Sequence, residues 1–210
     1  MSTIKLKICG VKSVDEARQL RESGVDLVGL NFIPGSSRFI SLEAADEIMA
    51  ELKSSSIQTV ALFAGRPLDE VDDYASRLDV DYIQLHGNEP AEYAKGVNAT
   101  VIRAIAVDSN QTAQELIKFM QEFPVDYFVL DRQRQGQGSI IDLELAAEAI
   151  SALPEKIFLA GGLTPDNLAN VLAKVQPYGI DIASGVRDPN DNLDIAKVRR
   201  CLETIRSLAD

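Results

Sequence analysis

The stretch KIFLAGGLTPDNLANVLAKVQPYGIDIASGV, residues 156–186, decides the fold because it contains one complete repeat of the pattern found along the chain. A short apolar run, Lys156–Ala160, leads through two glycines into helical spacing over Pro165–Val175, and a second apolar run follows at Gly179–Ile182. Short continuous apolar runs are typical of parallel strands buried on both faces, and parallel strands need a crossover that is usually a helix. The stretch therefore predicts a β-α-β unit.

The same alternation recurs over the rest of the chain. Apolar runs predict strands at Ile4–Ile8, Asp26–Phe32, Gln58–Phe63, Asp81–Leu85, Thr100–Ala106, Asp126–Leu130, Lys156–Ala160 and Gly179–Ile182. Helical spacing predicts helices at Val14–Ser23, Leu42–Leu52, Leu68–Leu78, Pro90–Lys95, Ser109–Glu122, Leu143–Leu153, Pro165–Val175 and Leu193–Leu208. Eight alternations in 210 residues predict an α/β protein, a (β/α)8 TIM barrel forming a single domain over residues 1–210. A doubly wound sheet is the alternative, but it usually has fewer strands and a GxGxxG turn, which the sequence does not contain.

Composition narrows the possible partners. Hydrophobic residues make up 46% of the chain and charged residues 25%, which is typical of a soluble globular protein. The formal net charge of -11 argues against binding to a nucleic-acid backbone or an anionic membrane surface, since both need a basic footprint. Two distant cysteines, Cys9 and Cys201, and a single histidine predict neither a disulfide framework nor a metal site. No signal peptide or apolar segment of about 18 residues is found, and we expect a cytoplasmic protein.

A barrel fold predicts where functional residues lie. Active sites of this architecture are built from the carboxyl ends of the strands and from the loops that follow them. At those positions the sequence has Cys9 after strand one, NFIPGSSRFIS with Arg38 after strand two, QLHGNE with Gln84 and His86 at strand four, Asp131 at strand six, AGGLT at strand seven and ASGV at strand eight. These residues are the candidates for a functional site.

Glycines after the last two strands indicate a phosphate site. Gly161 and Gly162 follow strand seven, and Ser184 and Gly185 follow strand eight. Backbone N–H groups at such turns can surround a phosphate without hindrance from side chains, and barrels often bind phosphate at this pair of loops. The alternative is that these glycines only form tight turns. We predict that these loops bind a phosphate group.

The motifs KICG, SSRFIS, QLHGNE, FVLD, AGGL and SGV, in that order, resemble those of the phosphoribosylanthranilate isomerase family of tryptophan biosynthesis. The resemblance covers essentially the whole chain. It implies an Amadori rearrangement, an aldose–ketose isomerisation of N-(5-phosphoribosyl)anthranilate to 1-(2-carboxyphenylamino)-1-deoxyribulose 5-phosphate, by acid and base catalysis without a metal or an organic cofactor.

The same resemblance implies roles for individual residues. Cys9 matches the general base of the family, Asp131 the general acid and Arg38 the arginine that contacts the anthranilate. Substrate contacts are implied for two further pairs, Gln84 with His86 and Gly136 with Gly138. Each role has a structural alternative: Cys9 can be a packed core residue, Asp131 can cap a loop or pair with Arg132 or Arg134, Arg38 can be a solvated loop residue, and His86 can form a hydrogen bond beside Gln84.

The chemistry is consistent with these residue types. Opening the ribose ring requires an acid at the ring oxygen, and a base must then remove the acidified C–H proton. Cys9 can act as that base only as a thiolate, which needs nearby positive charge. Lys7 lies on the same face of the strand as Cys9 by alternation, and we treat it as a hypothetical electrostatic partner.

Two segments depart from the family pattern. Members usually read GGTGKTFDW or GGSGKTFDW where this chain has QGQGSIIDL at 135–143, and an acidic residue is usual where this chain has Arg187. A positive charge there would strengthen anion binding beside the phosphate. The alternatives are therefore a related isomerase for another phosphosugar, or a catalytically silent binding protein for such a ligand. An epimerase would be expected to have several metal-binding histidines, and the single histidine of this chain cannot supply them. The sequence is compatible with a monomer or a homodimer.

Overall fold

The computed structural model describes residues 4–108, 110–132, 141–154 and 156–208. The strands are β1 (Lys5–Cys9), β2 (Leu27–Asn31), β3 (Gln58–Phe63), β4 (Tyr82–Leu85), β5 (Thr100–Val107), β6 (Tyr127–Arg132), β7 (Ile157–Leu159) and β8 (Gly179–Ile182). The helices are α1 (Val14–Ser23), α2 (Leu42–Leu52), α3 (Leu68–Leu78), α4 (Ala91–Gly96), α5 (Ala113–Glu122), α6 (Leu143–Ala152), α7 (Leu168–Leu172) and α8 (Ile195–Arg206), with a 3-10 turn at Ser184–Val186.

The strands form a closed barrel in sequence order from β1 to β8, with parallel pairing. The (β/α)8 TIM barrel predicted from the alternation is thereby confirmed, and the doubly wound sheet is excluded. Contacts divide the chain into two compact units. The N-terminal unit comprises Lys7–Ala104 and Pro124–Asp126, and the C-terminal unit comprises the described residues of 1–6, 105–123 and 127–210. A single domain over residues 1–210 stays a prediction.

In the N-terminal unit, strand register brings the end of β1 against β2. Cys9 is the partner of Gly29, and Gly29 is in turn the partner of Val60 on β3. All five residues of β2 are buried, as expected for a strand covered on both faces. Phe32 and Phe63 stack with ring centroids 5.3 Å apart at the ends of β2 and β3. Aromatic packing therefore joins the carboxyl ends of β2 and β3.

In the C-terminal unit, β6, β7 and β8 pair in order, with Leu130 opposite Leu159 and Leu159 opposite Ile180. Phe158 contacts Tyr178 edge-on, with ring centroids 5.2 Å apart. The N–H of Lys5 donates to the carbonyl of Tyr178 over 3.0 Å. The first described residues are therefore held against β8.

Element ends differ from the predictions by a few residues. Strand β1 extends through Cys9, and β6 extends two residues beyond the predicted end at Leu130. Helix α5 begins at Ala113 rather than at position 109, because Thr112 and Glu115 form a reciprocal capping box that starts it there. Helix α7 is limited to Leu168–Leu172 because a turn occupies the preceding residues.

A modified capping box begins helix α1. The side chain of Ser13 accepts the N–H of Glu16 over 3.2 Å. The Glu16 carboxylate accepts the N–H of Lys12 over 2.9 Å, one residue before the position expected in a standard box. The start of α1 is thus fixed by the side chains of Ser13 and Glu16. Among residues 4–108, 110–132, 141–154 and 156–208, no helix is both long and apolar enough to cross a membrane.

Candidate active site

Cys9 is the last residue of β1 and is only 9% exposed, while Lys7 on the same strand is fully buried. Alternation along a strand places both side chains on one face. Lysine is almost never fully buried, so its position two residues before Cys9 requires an explanation beyond packing. That Lys7 supplies positive charge near the thiol stays a prediction.

Arg38 lies against Gly10, the residue that follows Cys9. Gly10 has φ +80°, and a Cβ added to it would fall on the aliphatic stem of Arg38. Only glycine therefore permits both the backbone turn after Cys9 and the passage of the arginine over it. The Nε of Arg38 is buried and has no hydrogen-bond acceptor among the residues that the structure describes. A buried guanidinium N–H of this kind can receive an anionic group of a ligand.

Two polar residues shape the loop that carries Arg38. The Oγ of Ser36 accepts the N–H of Arg38 and the Nδ2 of Asn31, both over 3.2 Å. The Oδ1 of Asn31 also accepts the N–H of Ile33 over 2.8 Å. The start of the arginine side chain is therefore held by a hydrogen-bonded turn rather than solvated freely.

Gln84 and His86 lie together at the end of β4. Gln84 is 1% exposed, and its Nε2 lies 3.4 Å from Nδ1 of exposed His86. Within the described part of the chain, Oε1 of Gln84 is buried without a hydrogen-bond donor. His86 thus lies within hydrogen-bonding distance of Gln84, as expected if its role is structural. The unsatisfied oxygen of Gln84 can accept a hydrogen bond from a hydroxyl group of a ligand.

Glu89 is a buried residue that sequence reasoning missed. Its Oε1 accepts the N–H of Gly65 over 2.7 Å, and its Oε2 accepts the N–H of Gly87 over 3.0 Å and Nη1 of Arg103 over 2.6 Å. The carboxylate thus joins the loops after β3 and β4 to strand β5 and holds the loop that follows His86. An arginine within the apolar run of β5 was the available signal, because a buried charge needs a partner.

Asp131 lies in β6 in the C-terminal unit. Its Oδ1 accepts the N–H of Arg132 over 2.7 Å, a local bond of the kind that the loop-capping alternative expects. A Cβ added to Gly161, whose φ is +87°, would lie 3.0 Å from the same Oδ1. The carboxylate is therefore oriented by a backbone N–H and stands beside the first glycine after β7.

The predicted phosphate residues come together within the C-terminal unit. Gly161 and Gly162 have φ of +87° and +73°, and a Cβ on Gly185 would overlap the carbonyl group of Leu163. Gly185 belongs to the 3-10 turn that begins at Ser184. The loops after β7 and β8 are consequently in direct contact, as binding of one phosphate by both loops would require.

Asn167, a second residue missed by sequence reasoning, holds the loop after β7. Its Nδ2 donates to the carbonyl of Gly162 and its Oδ1 accepts the N–H of Thr164, both over 2.9 Å. Asparagine side chains commonly form such local bonds with the backbone. The available signal was an asparagine at the end of the sequence TPDN, residues 164–167, directly before the helix. The loop geometry is therefore fixed by a side chain that reaches both of its ends.

Arg187 is directed into its own loop. Its side chain is 2% exposed, its Nη1 donates to the carbonyl of Asp191 over 2.9 Å, and its own carbonyl accepts Nζ of Lys197 over 2.7 Å. These bonds fix the loop after β8. Gly136 and Gly138, the remaining predicted substrate contacts, lie outside the described residues.

Cys201 differs from Cys9 in its environment. It is fully buried in α8, and burial raises the pKa of its thiol to about 12. It is therefore a protonated core residue at neutral pH. No cluster of three or more His, Cys, Asp or Glu residues able to hold a metal ion occurs within residues 4–108, 110–132, 141–154 and 156–208.

Comparisons with known proteins match nearly the whole chain. The sequence model of the family described as N-(5'phosphoribosyl)anthranilate (PRA) isomerase matches residues 6–204. The N-(5'-phosphoribosyl)anthranilate isomerase of Geobacter metallireducens is 35% identical over 208 residues, covering 97% of this chain and 100% of that protein. Phosphoribosyl anthranilate isomerase from Thermus thermophilus has a similar crystal structure, with TM-score 0.86, 30% identity and coverage of 98% of this chain and 100% of that one.

A further similar crystal structure, of phosphoribosyl anthranilate isomerase, contains reduced 1-(o-carboxyphenylamino)-1-deoxyribulose 5-phosphate. It has TM-score 0.84 and 27% identity, and covers 97% of this chain and 99% of that chain. The similarity therefore extends from sequence to fold over nearly the full length of these relatives.

Proposed function

Because the chain belongs to the phosphoribosylanthranilate isomerase family, we propose that Cys9 is its general base and Asp131 its general acid. The reaction of tryptophan biosynthesis that it catalyses converts N-(5-phosphoribosyl)anthranilate to 1-(2-carboxyphenylamino)-1-deoxyribulose 5-phosphate. The observation that carries the proposal is the position of both residues at the carboxyl ends of barrel strands, β1 and β6, where active sites of this fold are assembled.

The proposed reaction has two proton transfers. Protonated Asp131 donates to the ring oxygen while the bond from that oxygen to C1 breaks, and the nitrogen lone pair forms the C=N bond of a protonated Schiff base. The Cys9 thiolate then takes the proton from C2, and the C–H electron pair forms an enolamine that tautomerises to the ketone. Because the substrate's own nitrogen accepts the electron pair, the chemistry needs no metal ion and no organic cofactor.

A thiolate is the reactive form of Cys9 in this scheme. Lys7, fully buried on the same face of β1, is proposed to favour that form by placing positive charge near the sulfur. Burial by itself disfavours both charged forms, so the attraction between the ammonium and the thiolate, which is stronger where water is excluded, has to offset that cost.

Substrate binding is assigned to the remaining residues. The guanidinium of Arg38 is proposed to bind the carboxylate of the anthranilate. The buried Nε of Arg38 has no acceptor in the described part of the chain, and this carboxylate would provide one. Gln84 and His86 are proposed to orient the sugar. The backbone N–H groups of the glycine loops after β7 and β8 are proposed to bind the phosphate, with Gly161, Gly162, Ser184 and Gly185 as the residues involved. A phosphosugar as the only partner, a monomer or homodimer, and a cytoplasmic location complete the proposal.

The proposal is tested with freshly prepared N-(5-phosphoribosyl)anthranilate, whose fluorescence is followed in the presence of excess EDTA. We expect the protein to consume the substrate well above the uncatalysed rate of hydrolysis, and EDTA to leave the rate unchanged because no metal takes part. Substrate loss at the uncatalysed rate would contradict the assigned reaction. Loss of activity on chelation would contradict the cofactor-independent mechanism alone.

Replacing Arg38 with methionine is expected to raise KM for this substrate about 10- to 100-fold, since hydrogen bonds to charged groups contribute about 1.5–3 kcal/mol. The effect on kcat should be smaller, because the carboxylate is distant from the proton transfers. Steady-state kinetics provide the measurement. Arg18→Met is the matched control, since Arg18 forms only surface ion pairs with Asp15 and Glu51 among the described residues. An unchanged KM for Arg38→Met would show that the anthranilate is bound elsewhere.

A further inference from the structure

Gly29 lies beside Cys9 at a point where there is little room for a side chain. The two residues are partners across β1 and β2. A Cβ added to Gly29 would lie 3.1 Å from Sγ of Cys9, 3.2 Å from its Cα and 3.1 Å from Cδ1 of Leu62. Carbon and sulfur atoms in contact are normally about 3.5–4.0 Å apart. The thiol and the Leu62 methyl group therefore leave slightly less room than a side chain at position 29 would need.

The carbonyl of Gly29 also holds the backbone that follows Cys9. It accepts the N–H of Gly10 over 2.9 Å and the N–H of Val11 over 3.0 Å. These two bonds fix the turn by which the chain leaves β1. Gly29 thus contacts Cys9 from the side and determines the direction of the chain beyond it.

Backbone conformation does not account for a glycine at this position. Gly29 is not among the glycines with positive φ, so an alanine could adopt its dihedral angles. Glycine weakens the interior of a strand, and its presence there often marks a close approach of another group. The groups that approach here are the thiol of Cys9 and a methyl group of Leu62.

We propose that Gly29 is a positioning residue of the isomerase, which sets the location of the Cys9 sulfur by leaving the adjacent space empty and by binding the turn after it. This inference rests on the proposed role of Cys9 as general base. A proton transfer depends on distance and alignment. A displacement of about 1 Å can lower the rate about 100-fold, and the shift of a few tenths of an ångström that a Cβ at position 29 requires is expected to lower it severalfold. Substitution at Gly29 therefore acts on catalysis through Cys9.

Gly29→Ala is expected to lower kcat about fivefold while KM changes less than about twofold, because the thiol shifts by a few tenths of an ångström and the substrate contacts assigned to other residues remain. The rate at which iodoacetamide alkylates Cys9, and the pH dependence of that rate, should change as well. A purely structural role for the glycine would lower the melting temperature and leave kcat, KM and the pH dependence of alkylation in the folded protein unchanged.

Gly179→Ala is the matched control. Gly179 is also a strand glycine, and a Cβ there would lie 2.5 Å from the ring of Phe158 and 3.1 Å from the carbonyl of Lys5. We expect this variant to lose thermal stability and keep kcat within about twofold of the wild type. Equal losses of kcat in both variants would overturn the proposal, since they would show a general effect of crowding in the strands.

The double variant Gly29→Ala/Leu62→Val relieves the crowding against leucine but not that against sulfur. It also carries the test if Gly29→Ala alone does not fold. Recovery of stability with a persistently low kcat supports the proposal, and recovery of both overturns it. The activity of Cys9→Ala separates the proposed role of Cys9 from that of Gly29. An active Cys9→Ala contradicts the assignment of Cys9 as the base. An inactive Cys9→Ala together with a fully active Gly29→Ala contradicts only the positioning role of Gly29.

Discussion

Asp131→Asn is expected to lower kcat about 10²–10⁴-fold, the range typical of a lost general acid or base, with a smaller change in KM. Asparagine has nearly the same shape as aspartate, and its Oδ1 can still accept the N–H of Arg132. It can also occupy the same place beside Gly161. The variant thus preserves the contacts of the side chain and removes its ability to donate a carboxyl proton to the ring oxygen. Steady-state kinetics with N-(5-phosphoribosyl)anthranilate measure the loss.

Asp69→Asn is the control for this substitution. Asp69 at the start of α3 has an Oδ1 that accepts the N–H of the following residue, Glu70, over 3.0 Å, and is thereby matched to Asp131 in local bonding. We expect its kcat to equal that of the wild type. If Asp131→Asn retained full kcat with an unchanged melting temperature, Asp131 would be a loop-capping residue and another group would have to protonate the ring oxygen.

Local signals account for the elements whose bounds were predicted correctly. Helices α1 and α2 begin after Ser13 and Ser41, whose side chains accept N–H groups of their first turns, and α1 ends at Gly24 with φ +79°. Such caps are encoded by neighbouring residues and can be recognised in a sequence. Helix α7 was predicted too long because the bonds of Asn167 to the loop before it replace the first helical turn with a different turn.

The candidate site was predictable where a residue's position in the repeat was sufficient. Cys9 and Asp131 could be placed at strand ends from the alternation alone. The contributions of Glu89 and Gly29 could not, because they depend on which residues of other strands and loops face them. Glu89 bonds to Arg103, 14 positions away, and Gly29 matters through its register with Cys9. Such pairings are determined by tertiary packing rather than by local pattern.

Cys9→Ala is expected to lower kcat about 10²–10⁴-fold, because it removes the proposed base. Loss of a small side chain that is already confined by Gly29 should change stability far less than it changes activity, so the melting temperature separates the two effects. Cys9→Ser should be similarly impaired, since a serine hydroxyl holds its proton much more strongly than a thiol at the same position. Full activity of either variant would show that the sulfur does not accept the C2 proton.

Alkylation provides an independent measurement of the same thiol. Only a thiolate reacts readily with iodoacetamide. Cys201 remains protonated between pH 6 and pH 9 because burial raises its pKa to about 12. In that range we expect carbamidomethylation at Cys9 alone, with the loss of activity following the modification of that residue by mass spectrometry. The Cys201→Ala variant should be inactivated at the wild-type rate. Inactivation that followed Cys201 instead would place the reactive thiol on α8 and remove the reason for assigning the base to β1.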